Sequence, residues 1–268
     1  MERLITLHVT YLEAEGMARS TIDARRRVCG AVDRALPYGL CNASTDELAA
    51  YFARPGWKQW TRATYFGHVA GLYRWATAGL DPYLTLDPMA PLRRPRTPRG
   101  VPHPVTTDEL RRVFAHVRPF WRRVILLAAY AGLRRAEIVS LRREDVTSER
   151  VRVIDGKGGR DGYVPMHPFI WENVAGAPGG LLVIGERLGR PIAPGRLSLM
   201  ARKFFDSIGL PDVTLHDFRH WYGTELLRAG ADLRTVQECL RHDSLSSTAI
   251  YTQVDSARRV AAIASLPA

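Results

Sequence analysis

Two polar side chains, those of His216 and Arg219, lie one helical turn apart in residues 214–220, TLHDFRH. Thr214 with Asp217 three residues later is typical of a capping box, so we expect a helix to start here with His216 and Arg219 on one face of its first turn. The N–H groups at a helix N-terminus attract anions, and a guanidinium and an imidazole add further donors. The pair therefore predicts a phosphodiester site, whereas His216 taken alone also fits an ordinary structural histidine.

The same segment matches H-D-x-x-H, because His216 and His220 are four residues apart. Two imidazoles on one helix face can share a zinc ion, which makes a metallohydrolase the alternative. Against it, Arg219 would place a positive charge between the ligands, and Asp217 is a shorter base than the glutamate of such sites. No third ligand is obvious. The sequence therefore favours phosphate, and we expect neither a metal nor another cofactor.

A second candidate pair, Arg134 and Glu137, follows the apolar run from Val124 to Leu133. Charges this close to buried chain are usually paired, so one interpretation is a structural ion pair. In the other, the Glu137 carboxylate holds the guanidinium in one orientation, so that its remaining N–H groups face a phosphate. The residues alone leave both interpretations open.

Two further candidates, Lys157 and Tyr251, depend on their context. The chain has only three lysines, and Lys157 lies between glycines at the tip of a predicted hairpin. Unlike arginine, a lysine near other cations can have its pKa lowered, and its ammonium can then donate a proton as a general acid toward a leaving alkoxide. Tyr251 follows a segment rich in Ser and Thr, and by itself it is more typical of a packing residue than of a nucleophile.

The composition indicates a polyanionic partner, with nucleic acid as the first candidate. Lys and Arg number 38 against 27 Asp and Glu, and the net charge of +11 is spread over both halves of the chain. The longest apolar run is too short for a membrane span, and the N-terminus does not resemble a secretion signal. The cysteines are far apart and lack C-x-x-C spacing, which argues against disulfides and a thiolate zinc site and fits a reducing cytosol: Cys29, Cys41 and Cys239.

Helical periodicity predicts a bundle of about four helices before residue 90, each preceded by a Ser, Thr or Asp cap candidate. Prolines and arginines then crowd the stretch from Leu80 to Pro104, which predicts an interdomain linker. This linker is either simply solvated or a strap along a phosphate backbone. We therefore expect a first domain at 1–90, a linker at 91–104 and a second domain at 105–268.

The second domain is predicted to be mostly helical with one small sheet. The strand signal is a β-hairpin near 151–154 and 163–166, around a glycine-rich tip. Helices are expected from Thr107, over Phe120–Tyr130, from Arg135 to residues 144–145, and at about 196–208, 215–229, 233–241 and 246–252. The fold class is thus mainly α, a helical bundle followed by a larger helical domain that carries the candidate residues.

Together these motifs resemble those of the tyrosine recombinase family, the phage integrases and Xer-like recombinases. The resemblance is strong over residues 103–255 and rests on architecture alone over 1–100. The matched positions are Gly132-Leu133-Arg134 with Glu137 for G-L-R-x-x-E, Lys157 for the hairpin lysine, His216 and Arg219 for H-x-x-R, and His242 with Tyr251 for the G-H motif and the tyrosine nine residues later. The departures are Ala131 where threonine is common, Arg135 after the first arginine, and Arg241 where glycine usually precedes the histidine.

The resemblance implies a reaction and a role for each matched residue. The Tyr251 phenolate would attack a DNA phosphorus and leave a 3'-phosphotyrosyl link and a free 5'-hydroxyl, without a metal or nucleotide. The implied helpers are Arg134 and Arg219 on the nonbridging oxygens, His242 as a further donor, His216 in proton transfer at Tyr251, Lys157 as the acid for the 5'-oxygen, and Glu137 as a supporting residue.

The resemblance also implies the partners, namely double-stranded DNA bound by an N-terminal core-binding domain and a catalytic domain, and a homotetramer in the synaptic complex. Residues 253–268 would dock on a neighbouring protomer, and an accessory protein would set direction. The 100 residues before the catalytic domain leave no room for a separate arm-site-binding domain. The expected location is the nucleoid in the cytoplasm of a bacterial or phage-infected cell.

Two alternatives keep the fold and change the function. A type IB topoisomerase-like monomer would relax supercoils by the same chemistry without joining two sites. A non-catalytic DNA-binding regulator would not need the Tyr251 hydroxyl at all.

Overall fold

Four helices make up the first part of the computed structural model, which describes residues 2–97, 103–154, 161–185 and 189–241. They are α1 (Glu2–Ala14), α2 (Arg19–Ala35), α3 (Thr45–Ala53) and α4 (Gln59–Ala76). The predicted cap is present at α3, where Ser44 and Glu47 form a capping box. Ala18 and Lys58 precede α2 and α4 and provide no side-chain cap, so packing rather than capping must hold those two helices.

The core of this first unit takes one apolar stripe from each helix. Val32, Leu48 and Leu72 are completely buried, and Leu4 of α1 joins the same cluster. The cluster also includes Met89, with Leu92 packed against it. The chain therefore stays with the first unit beyond residue 90. It divides into two units at residues 100 and 101, a point inside the predicted 91–104 linker.

In its described residues, the second unit is mainly helical with one two-stranded sheet. Its elements are α5 (Thr107–His116), α6 (Pro119–Tyr130), α7 (Arg135–Ser140), β1 (Arg150–Ile154), β2 (Asp161–Pro165), α8 (Pro168–Val174), α9 (Pro194–Ser207), α10 (Leu215–Arg228) and α11 (Leu233–Leu240). The mainly helical fold class is confirmed. Helix α8, which has only two turns, was not predicted. The helix expected at 246–252 lies outside the described residues.

Helix α6 lies at the centre of the second unit, as its apolar sequence predicts. Residues 124–129 are all buried, and α6 packs against both α8 and α10. Phe218 of α10 stacks on Phe205 of α9 with ring centroids 5.4 Å apart. The buried face of α10 is therefore fixed against two other helices, and this fixes the residues of its first turn as well.

Helix α7 is shorter than the sequence predicts. It ends at Ser140, and Leu141 has an extended backbone whose carbonyl accepts a hydrogen bond from the N–H of Leu182 at 2.9 Å. The chain then makes an isolated bridge between Arg142 and Leu181 and a short 3₁₀ turn over Arg143–Asp145. The predicted end at residues 144–145 was wrong because pairing with a distant segment replaces the next helical turn.

The predicted hairpin is present, with β1 and β2 antiparallel and Val151 opposite Val164. Val151, Val153 and Val164 are buried, while the solvent side carries the ion pair between Arg152 and Asp161. The alternation of buried and exposed residues sets the register of the sheet. Residues 155–160, which lie between the two strands in the sequence, are outside the described residues.

Neither cross-links nor membrane helices contribute to the described fold. The three cysteines are all free. Within the described ranges, no helix has both the length and the apolar character needed to cross a membrane.

Gly132 makes the turn between α6 and α7. Its φ of +60° lies in the left-handed region, and a Cβ there would lie 2.5 Å from Cδ1 of the Tyr222 ring. Only a glycine meets both demands, because an L side chain disfavours this backbone conformation and the ring leaves no space.

We expect Gly132→Ala to lower the free energy of unfolding by about 2–3 kcal/mol, the sum of left-handed strain and overpacking. Urea unfolding followed by circular dichroism measures the change. The control is Gly176→Ala, since nothing lies within 4 Å of the added methyl group there. Equal stability of Gly132→Ala and the wild type would contradict the proposed turn geometry.

His8 is a buried polar residue of the first unit, and neither of its ring nitrogens has a hydrogen-bond partner within the described ranges. It is 2% exposed, and its ring lies 4.7 Å from that of Trp75. Burial, and after it the charge of Arg25, lowers the pKa of His8 to about 4. The imidazole is therefore neutral at pH 7.

Because the folded pKa of His8 lies below its ordinary value of 6.5, the unfolded chain binds the proton first as the pH falls. The free energy of unfolding should therefore decrease between about pH 6.5 and pH 4. We expect His8→Phe to lessen this decrease, as seen in urea unfolding at pH 7.5 and 5. His103→Phe, at an exposed position, is the control; an unchanged acid dependence in His8→Phe would refute the assignment.

Candidate active site

A buried carboxylate, that of Glu137, lies at the centre of the site. Glu137 is 9% exposed and occupies the first turn of α7. Its Oε1 accepts a hydrogen bond from Arg134 Nη1 at 2.9 Å, and its Oε2 accepts from the backbone N–H of Arg134 and from Arg241 Nη2, both at 2.7 Å. One carboxylate thus binds two guanidinium groups.

The two sequence interpretations of Arg134 and Glu137 describe one and the same contact. The ion pair exists, and the additional bond from Glu137 to the Arg134 backbone fixes both ends of that residue. The Arg134 side chain nevertheless stays 39% exposed. A guanidinium has five N–H groups, so an orienting carboxylate leaves donors for a ligand.

Arg219 is the most deeply buried charged residue of the site, at 1% exposed. Its Nη1 donates to the Gly132 carbonyl and its Nη2 to the Leu240 carbonyl. Arg219 therefore joins three segments: the turn before α7, the first turns of α10, and the end of α11. The sequence predicts His216 and Arg219 on one face of this first turn; in the structure Arg219 is buried in the core, whereas His216 is exposed.

The helix start that positions these two residues forms as predicted. The backbone N–H and the hydroxyl of Thr214 both donate to the Asp217 carboxylate at 2.7 Å. The N–H of Val105 also bonds the Asp217 carbonyl at 3.4 Å. The first turn of α10 is thus held by its own cap and by the chain that leads into α5.

The two candidate phosphate ligands, Arg134 and Arg219, meet at the end of α11. Arg219 Nη2 donates to the Leu240 carbonyl, and Arg134 Nη2 donates to the Arg241 carbonyl at 3.2 Å. The two guanidinium groups thus bind the carbonyls of consecutive residues. They do so directly before residue 242.

His216 and His220 form a pair of imidazoles with ring centroids 4.4 Å apart. Partial burial of its ring, followed by the charge of Arg219, lowers the pKa of His216. Burial, followed by the influence of His216, lowers the pKa of His220 to about 4. Both rings are therefore neutral at pH 7, and a neutral His216 can accept a proton.

An open cavity of about 740 Å³ adjoins Arg134 and His216. Arg135 and Arg202 also line it, and Arg135 Nη1 donates to the Ser198 hydroxyl at 3.1 Å. Three arginines thus line the cavity against one acidic residue, Asp212, so its wall carries a net positive charge. Sequence reasoning missed Ser198 and Arg202 of α9, because no local motif marks them; only the arginine content of the predicted helix could have drawn attention to it.

The structure brings together four predicted site residues: Arg134, Glu137, His216 and Arg219. Three others, Lys157, His242 and Tyr251, lie outside the described residues. Among the residues that are described, no group of three or more His, Cys, Asp or Glu side chains could hold a metal ion. The H-D-x-x-H alternative therefore lacks a third ligand in that part of the chain.

Comparison with known proteins gives a consistent result. The model of the phage integrase family matches residues 104–258. The tyrosine recombinase XerA of Thermococcus onnurineus (strain NA1) is 34% identical over 176 residues, covering 61% of this chain and 62% of the relative. The tyrosine recombinase XerC of Mesorhizobium japonicum is 37% identical over 190 residues, covering 63% and 61%. The matches thus span about three fifths of each relative's length.

A solved structure extends the comparison to both units. The lambda integrase tetramer bound to a Holliday junction is 19% identical, with a TM-score of 0.73, and covers 95% of this chain and 79% of that one. At this identity the likeness concerns the fold alone.

We expect Glu137→Ala to lower the free energy of unfolding by about 3 kcal/mol, because it leaves two partly buried guanidinium groups without their carboxylate. Urea unfolding provides the measurement. Glu238→Ala is the matched control, since it breaks an exposed pair with Arg234 and should cost at most about 1 kcal/mol. Similar losses in the two variants would contradict the central position of Glu137.

Proposed function

The chain belongs to the phage integrase family, and on that premise we propose that it is a site-specific DNA recombinase that cleaves and rejoins strands through a 3'-phosphotyrosyl intermediate. The observation that carries the proposal is that Arg134 and Arg219 bind the carbonyls of consecutive residues, with Arg134 lining an open cavity of net positive charge. A phosphodiester is the ligand that suits such an arrangement.

The charge of the site supports binding of a phosphate whose negative charge grows during reaction. Arg134, Arg219 and Arg241 contribute three positive charges against the one negative charge of Glu137. Two positive charges therefore remain, and they complement the negative charge of a phosphorane. In this proposal, Arg134 binds a nonbridging oxygen through its exposed N–H groups, and Arg219 acts from the core behind it.

The nucleophile in this proposal is Tyr251. A phenol has an ordinary pKa of about 10, so it needs a base to react at neutral pH. The pKa of His216 lies below its ordinary value of 6.5, so the imidazole is in its neutral form at pH 7, the form that can take the phenolic proton. His242, which follows the carbonyls that Arg134 and Arg219 bind, is proposed to donate to the second nonbridging oxygen.

The bond changes balance without an energy-rich cofactor. The Tyr251 oxygen forms a bond to phosphorus, the bond from phosphorus to the 5'-oxygen breaks, and Lys157 protonates that oxygen. The 3'-phosphotyrosyl ester keeps the free energy of the broken ester, so a 5'-hydroxyl from another strand can reverse the steps. Exchange of strands then needs no ATP.

The proposed partners are duplex DNA and three further copies of the chain. The fold shared with a lambda integrase tetramer on a Holliday junction supports both, and the net charge of +11 favours DNA. We assign core-site DNA binding to the first unit and catalysis to the second. Docking by residues 253–268, nucleoid association and an accessory protein that sets direction belong to the same proposal.

A covalent adduct tests this function. Duplexes that the protein selects from a random library would be rebuilt with a nick beside the cleaved position, so that the cleaved fragment diffuses away and the adduct accumulates. We expect the wild type to form a denaturant-resistant adduct whose peptide contains Tyr251. Tyr251→Phe should reduce the adduct to background with an unchanged Kd for DNA, because the attacking oxygen is absent.

Tyr38→Phe is the matched control, because Tyr38 is exposed in the first unit and should not affect the adduct. Tight binding without any adduct would instead indicate a DNA-binding regulator. An adduct with relaxation of supercoils but no joining of two sites would indicate a topoisomerase-like enzyme.

A further inference from the structure

Arg241 has an unusual backbone conformation. Its φ of 53° and ψ of 51° place it in the left-handed region, as the residue that ends α11. Within the described ranges it is the one residue other than glycine with a positive φ. Glycine is the ordinary choice for this position at a helix end, because L side chains disfavour it. The side chain of Arg241 must therefore supply something that a glycine would not.

The guanidinium of Arg241 is held by the protein. Its Nη2 donates to Glu137 Oε2 at 2.7 Å, and its Nη1 donates to the Cys239 carbonyl at 3.3 Å. The side chain is 13% exposed. Arg241 therefore differs from Arg134, whose side chain is 39% exposed and faces the cavity. These contacts argue against Arg241 as a direct ligand of a phosphate.

The aliphatic part of the Arg241 side chain lies against the hairpin. A Cβ built on Gly162 of β2 would lie 2.5 Å from Arg241 Cδ and 3.3 Å from its Cγ. All three of the atoms nearest to this Cβ belong to Arg241. The glycine thus provides the space in which the Arg241 side chain passes from α11 to Glu137, beside the strand that follows the hairpin tip.

We propose that Arg241 is a positioning residue that fixes Arg134 through their shared carboxylate and ties the hairpin to the same cluster. Arg241 occupies one lone pair of Glu137 Oε2, which limits Arg134 Nη1 to the other oxygen. Its carbonyl meanwhile accepts from Arg134 Nη2. The backbone and the side chain of Arg241 thus hold Arg134 from two directions.

The consequence for the reaction is geometric. Without the Arg241 guanidinium, both Glu137 oxygens become available to Arg134, which can then form a two-pronged pair and turn its donors away from the cavity. Strand β2, which follows Lys157 in the sequence, also loses its contact with the cluster. This inference rests on the proposed function, since it concerns the phosphate-facing donors of Arg134.

The test compares Arg241→Gly with the wild type on the nicked duplexes described above. Glycine keeps the left-handed backbone and removes only the side chain. We expect the single-turnover rate of adduct formation to fall by about 10-fold to 100-fold, as misplacement of a reacting group does. The Kd for DNA and its salt dependence should stay unchanged, and in the Tm the relief of left-handed strain should offset part of the lost ion pair. If Arg241 bound a phosphate directly, its removal would instead lower the steepness of the plot of log K against log salt concentration by about one.

Three further variants separate positioning from structure. Arg241→Lys should recover part of the rate, because it restores a positive charge beside Glu137. Gly162→Ala by itself should slow adduct formation, because its methyl group would meet the Arg241 side chain. Added to Arg241→Gly it should have no further effect, since the methyl group then has space. Arg234→Ala removes an exposed positive charge from the same helix and should change the rate less than about twofold.

Each outcome has one meaning. A wild-type rate in Arg241→Gly, additive effects of Gly162→Ala and Arg241→Gly, or a rate loss that only parallels a lower Tm would each overturn the positioning role. These results require a wild type that forms the adduct. If the wild type binds the selected duplexes and forms no adduct, the proposed function fails and the positioning role fails with it.

Discussion

The arrangement of the site in the second unit depends on one buried carboxylate that is paired with more positive charge than it neutralises. Glu137 is mostly buried, and it binds Arg134 and Arg241, which are 107 positions apart in the sequence. Burying a carboxylate is costly unless charged partners and hydrogen bonds offset the loss of water. Here three donors offset that loss, and the excess of positive charge remains. An anion that enters the neighbouring cavity therefore completes the charge balance rather than disturbing it.

Backbone carbonyls have an equally large role in this arrangement. The last turn of a helix leaves carbonyls without intrahelical partners. At the end of α11, Arg219 and Arg134 bind two of them, and the left-handed conformation of Arg241 turns the chain. A helix end that would otherwise need water is therefore satisfied by the side chains that we propose for phosphate binding. Stability and ligand recognition use the same groups.

Local spacing made much of the fold predictable. The apolar run of α6, the alternation in the hairpin and the cap at Thr214 each act over a few residues, and each is present. The end of α7 was not predictable, because Leu141 continues the apolar pattern while its carbonyl pairs with Leu182.

In the candidate site, too, contacts between residues close in sequence were predictable and contacts between distant residues were not. The pair of Arg134 and Glu137 spans three positions, but Arg241 lies 104 positions from Glu137, and one sequence carries no signal of that contact. Arg219 was predicted as a functional residue, yet its burial depends on the packing of α10.

The depth of Arg219 has a consequence for how activity is acquired and lost. Its contacts with the turn at Gly132 and with Leu240 form only when the core around α10 closes. A partly folded copy thus lacks the guanidinium geometry together with the core, and it cannot retain half of the chemistry. For a protein proposed to cut DNA, this couples activity to complete folding: damaged or partly folded molecules are inactive and do not leave unrepaired strand breaks.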